Sequence, residues 1–202
     1  MGAFFGSVQI KTADRKQVLA AAGDVAQELG NRCYVGPVLN GWVGVYPSEN
    51  GQDHRVGEAL AKRLETTVWH VLVHDDVLAY WLWDAGQLAD SYWSLPGYFG
   101  EENRAEEEEM AGSPDVLSRL VGGQAAALRK LLARDSAYPF ASSQLEELQE
   151  RTGIRNLTTA YEYLKEGETE GVQGWRQFRE VPAQRVKADA EQKTQDPRPC
   201  RN

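Results

Sequence analysis

The run Val77-Leu78-Ala79-Tyr80-Trp81-Leu82-Trp83 constrains the fold more than any other stretch of this chain. Val77, Ala79, Trp81 and Trp83 fall on one side of an extended strand, and Leu78, Tyr80 and Leu82 on the other. A strand apolar on both sides needs cover on both. The second cover has three candidate sources: the C-terminal part of the chain, a second copy, or a partner protein.

The sequence around this run reads as a sheet with two helices. Alternation of apolar and polar residues predicts strands over 3–12, 32–38, 42–46 and 67–74, followed by 77–83 and 87–93. Asp14 with Gln17 opens a helix whose Val18, Ala22, Val25 and Leu29 form one stripe, and Gly30 stops it. A second helix opens near Asp53 and carries Val56, Leu60 and Leu64. Asn40-Gly41 suits a two-residue hairpin turn. The order is βαββαβ, the split βαβ of a ferredoxin-like sandwich, extended by a ββ meander. In that arrangement the second strand lies at an edge, which tolerates Pro37. A six-stranded α+β sheet with another strand order is the alternative.

The fold class is therefore α+β: an antiparallel sheet followed by a small helical C-terminal region. Residues 1–100 form the sheet domain and 101–112 an acidic linker. Residues 113–170 are helical and expected to pack on the sheet, and 171–202 form a polar, disordered tail. Ser113-Pro114 begins the helical region, with further caps expected at Ser143 with Glu146 and at Thr159 with Glu162. Helices 143–151 and 158–166 resemble a helix-turn-helix in outline. The second of them offers mostly Thr and Glu to a groove, which argues against reading bases.

Charge points to the class of partner. The formal net charge is −8, and residues 175–202 hold seven Arg and Lys against four acids, so the acidity sits in the preceding body. Such a body repels phosphate backbones and attracts cationic surfaces. Six Glu and one Arg lie between 101 and 109. Five of the six Trp lie between 42 and 93. Aromatic rings are favoured anchors at interfaces. Trp81, Trp83, Trp93, Tyr98 and Phe99, beside Glu106, Glu107, Glu108 and Glu109, are thus the expected partner-binding residues. No apolar run reaches the roughly 20 residues of a membrane helix. The first sixteen residues lack the pattern of a secretory leader, and the two cysteines, Cys33 and Cys200, are poorly placed to pair. A reducing cytoplasm is the expected compartment.

No motif names a catalytic activity, so no catalytic residue is assigned. There is no G-x-S-x-G, H-E-x-x-H, C-x-x-C or phosphate-binding glycine loop, and no cofactor is expected. The nearest approach to a metal site is His70, His74, Asp75 and Asp76. Two strand residues four apart are about 13 Å apart, too far to share an ion without a bend. The favoured function is a non-catalytic acidic module that binds a basic protein, in one concrete form an immunity-type inhibitor of a cationic toxin. A metal-dependent hydrolase at the His-Asp cluster and a small-molecule sensor are the alternatives. A second copy of the chain is among the partners this reading allows.

Overall fold

The computed structural model describes residues 3–96, 98, 110–133 and 138–182. Seven strands make one antiparallel sheet: β1 Ala3–Lys11, β2 Cys33–Leu39, β3 Trp42–Pro47, β4 Val68–Asp75, β5 Val77–Asp84, β6 Gln87–Trp93 and β7 Arg179–Val181. They lie in the order β6-β5-β4-β1-β3-β2-β7. Among the described residues six helices accompany them: α1 Arg15–Leu29, α2 Arg55–Leu64, α3 Pro114–Leu120, α4 Ala125–Leu131, α5 Ala141–Thr152 and α6 Tyr161–Glu166. The architecture is α+β, with one strand more than the sequence pattern indicates.

The extra strand comes from the stretch expected to be a tail. Arg179–Val181 pairs with Cys33–Val35, so β2 is a true edge only beyond Val35. Pro37 sits in that unpaired part, at the register shift between Val35 and Val38 on the β3 side. A residue without an N–H therefore interrupts no ladder bond there.

Each layer has its own physical cause. On one side of the sheet, α1 and α2 bury Val18, Val25 and Leu60 against Val8, Ile10, Val45 and Val68. On the other side, Leu117, Leu128, Leu145 and Leu157 of the C-terminal part pack on Trp69, Tyr80, Leu82 and Tyr92. The second face of β5 is thus covered by the chain's own C-terminal helices. Full burial of each such side chain contributes about 1.5–3 kcal/mol.

Local signals explain most boundaries. The Asp14 carboxylate accepts from the backbone N–H groups of Lys16 and Gln17, and Gly30 ends α1 in the left-handed region. Asn40 and Gly41 take φ of 52° and 79°, the pair a two-residue β2–β3 hairpin turn requires. The Ser113 hydroxyl caps α3 with Pro114 in its first turn. Two caps fall elsewhere than expected. α5 begins at Ala141, ahead of Ser143, with Phe140 at its N-cap. α6 begins at Tyr161 with Ala160 at its N-cap, and Glu162 instead accepts a hydrogen bond from the Asn50 N–H at 3.1 Å. The carboxylate that would complete a capping box thus ties the helical layer to the 3-10 turn Glu49–Gly51.

That turn depends on a glycine. A Cβ on Gly6 would stand 2.6 Å from the Gly51 carbonyl oxygen and 3.0 Å from the Leu72 Cβ. Backbone lies directly on backbone here, with little room to give. Gly6→Ala is expected to lower stability by about 1–3 kcal/mol through overpacking, measured as a shift in the urea midpoint. A shift near zero would mean that the turn does not press on β1.

Candidate binding surface

Register decides which rings meet. On β5 and β6, Trp81 lies opposite Ser91 and Trp93 opposite Ala79. Trp81 and Trp93 are therefore diagonal neighbours on one face, each set across from a small residue. Such diagonals are within reach of large side chains, and the rings meet edge-to-face, centroids 5.8 Å apart at 88°. The imidazole of His54, at the N-cap of α2, stacks on Trp81 at 5.1 Å and 21°. Trp81 and Trp93 are half-buried and His54 is exposed. Together they form an aromatic shelf just past the start of α2.

The shelf runs on toward the β4–β5 hairpin. His74 meets Phe4 edge-on at 4.7 Å and Tyr98 at 6.3 Å. The Tyr98 hydroxyl donates to Asp75 Oδ2 at 3.0 Å, and this hydrogen bond raises the phenol above its ordinary pKa. Asp75 turns the chain with φ of 57°, and Asp76 beside it is exposed. Rings and carboxylates are thus neighbours, an arrangement that suits a cationic side chain.

Trp83 does not belong to this surface. It shares the face of Trp81 but is 5% exposed, because α2 lies over it. A Cβ on Gly57 would stand 2.8 Å from Trp83 Cζ3. Helix and ring are in direct contact, and Trp83 is core. Phe99, Glu106, Glu107, Glu108 and Glu109 lie outside the described residues.

Three of the four residues considered as metal ligands have partners of their own, and the fourth, Asp76, is exposed. His70 is fully buried, and its Nε2–H donates to the Gly51 carbonyl at 2.8 Å. Burial holds its imidazole at about 4, against the opposing pull of that hydrogen bond. His74 donates from Nδ1 to Gln52 Oε1 at 3.0 Å, while Gln52 Nε2 donates to the Val73 carbonyl at 3.2 Å. Asp75 accepts from Tyr98. Among the described residues, no three His, Cys, Asp or Glu side chains converge as a metal site requires. Burial pushes the Cys33 thiol up to about 12, away from the thiolate that a nucleophile needs.

The helix-turn-helix outline also dissolves. α6 spans only Tyr161–Glu166, and Tyr161 is buried, its hydroxyl donating to Glu180 Oε1 at 2.8 Å. A recognition helix must project into a groove, whereas this one is packed against the sheet and β7.

The structure brings Trp81 and Trp93 together and adds His54 beside them, a neighbour the sequence did not indicate. In sequence His54 stands beside Asp53 at a helix start, and no spacing links position 54 to position 81. Knowing that the start of α2 sits over β5 would have been enough. No protein-family model, no curated protein and no solved structure matches the chain.

Proposed function

We propose that the chain is a non-catalytic binding module for a protein with a basic surface, with an immunity-type inhibitor of a cationic toxin as its concrete form. The observation that carries this reading is the half-exposed Trp81–Trp93–His54 shelf, with Asp75 and Asp76 at the β4–β5 turn of the same sheet, in a chain of net charge −8. Rings supply desolvated anchors, and the surrounding negative field steers the encounter. The cytoplasm is the compartment proposed, supported by the free, buried thiol of Cys33. We read the scaffold as a ferredoxin-like βαββαβ sandwich extended by β5, β6 and β7. The neighbour order β4-β1-β3-β2 and the placement of α1 and α2 on one face support this.

The test is capture of partners from the source lysate by the tagged chain at low and high salt, alongside a Trp81→Ala/Trp93→Ala variant. The expected result is a stoichiometric basic protein, weakened by salt and reduced at least about tenfold by the double variant, as for truncated hot spots. Capture indifferent to both salt and the two rings would overturn the reading.

A further inference from the structure

The C-terminal layer contains a groove that the shelf does not explain. It encloses about 1170 Å³ between α5, the stretch before α6 and the turn at 167–173. Helical spacing brings Glu146 and Glu150 to one wall, and Glu168 and Glu170 stand on the other. All four are exposed and none makes a salt bridge among the described residues. Among the described residues Arg155 is the one basic side chain lining it.

The walls are held at a set distance. Asn156 donates from Nδ2 to the Gln173 carbonyl at 3.0 Å and accepts from the Gln173 N–H at 2.9 Å. Trp175, 45% exposed, stands at the rim, and the Arg176 guanidinium lies 5.2 Å from its ring. That ring already receives a cation in the way an incoming Arg or Lys would be received.

A second observation points to a ligand. Thr159 lines the groove, is 4% exposed, and its hydroxyl has no hydrogen-bond partner among the described residues. A buried hydroxyl left unpaired keeps its full desolvation penalty. It can both donate and accept, which is what a peptide backbone needs.

We propose that this groove binds an extended peptide segment carrying Arg or Lys, its backbone reaching Thr159 and its cations lying between the two carboxylate walls. The volume exceeds that of an ordinary small-molecule site and has room for several residues of chain. The site lies on the opposite side of the sheet from the aromatic shelf and is independent of it.

The test uses the full chain and a short fluorescent peptide of alternating arginine and glycine, read by anisotropy at low salt. Glu146→Gln/Glu150→Gln/Glu168→Gln/Glu170→Gln should weaken binding at least about tenfold. Asp24→Asn/Glu28→Gln/Glu58→Gln/Glu65→Gln, which removes the same charge elsewhere, should weaken it by less than about threefold. Thr159→Val should lower peptide affinity while leaving the urea midpoint unchanged or higher, a combination that a merely structural hydroxyl would not give. Trp81→Ala/Trp93→Ala should leave peptide binding unchanged, so the groove and the shelf stand or fall separately. Absence of binding, or equal weakening by the two quadruple variants, overturns the proposal. So does spermine binding as tightly as the peptide with Thr159→Val affecting neither, which would indicate a small polyamine instead.

Discussion

Trp69→Ala is expected to lower the stability of the chain by about 3–5 kcal/mol, the range for removing a fully buried large aromatic side chain. Trp69 has no exposed surface and sits on β4 within the core that joins the sheet to the C-terminal helices. Its ring meets Tyr80 edge-on at 5.9 Å and 72°, and Leu145 and Leu148 of α5 belong to the same cluster. The indole N–H has no hydrogen-bond partner among the described residues, so the native ring already carries a desolvation cost. Trp69→Phe keeps most of the packing and removes that cost, and should lose clearly less than the alanine variant. Urea unfolding followed by both far-UV dichroism and tryptophan fluorescence measures the effect. The two signals should coincide, since helices and sheet share one core. If the alanine variant loses under about 1 kcal/mol, or the two signals separate, the helical layer is not anchored on Trp69.

The second large effect is on pH. The buried His70 imidazole stays neutral in the folded chain down to about 4, whereas in the unfolded chain it protonates near 6.5. Between those values the unfolded state binds more protons, so stability rises with pH across the window and falls as the solution is acidified. At about 1.4 kcal/mol per pH unit the full loss is about 3 kcal/mol, complete only near pH 4. Asp53 and Glu58, whose carboxyls are lowered by hydrogen bonds from Arg55 and Lys62, add to the loss at the acid end. Both carboxylates remain partly open to solvent, which screens them and keeps their contribution small. Asp90, raised by burial, acts in the opposite sense. Urea midpoints at closely spaced pH values give the slope. His70→Gln can still donate to the Gly51 carbonyl but cannot titrate, and should flatten the curve between pH 4 and 6.5. An unchanged slope would assign the acid sensitivity to other groups.

The parts of the fold that were legible are those written in local chemistry. Asp14, Gly30, Asn40-Gly41 and Ser113-Pro114 each act within a few residues, and each stands where its capping or turn role requires. The two-faced character of 77–83 also stated correctly that both sides need cover. β7 was illegible for the opposite reason. Arg179-Glu180-Val181 has one apolar residue in three, and only its partner, the outer side of Cys33–Val35, makes it a strand. Glu162 was misplaced because a capping box and a tie to Asn50 demand the same residue type. For the surface, aromatic content alone could not separate Trp81 from Trp83. The two lie on one face of one strand, and only the line where α2 ends leaves one half-exposed and buries the other. The groove left no trace, since its walls come from segments that meet only once Asn156 has captured Gln173.

The strap formed by β7 and the cover formed by α3 to α6 have a consequence for synthesis on the ribosome. A nascent chain that has reached Trp93 owns six strands and both helices of one layer, yet Trp69, Tyr80 and Tyr92 are still bare on the other side. At ordinary elongation rates the residues that cover them arrive on the order of ten seconds later. Through that interval a broad aromatic sheet face is open to chaperones and to neighbouring nascent chains. Shielding of that half-built sheet during synthesis is therefore expected to raise the yield of this protein, independently of the stability of the finished one.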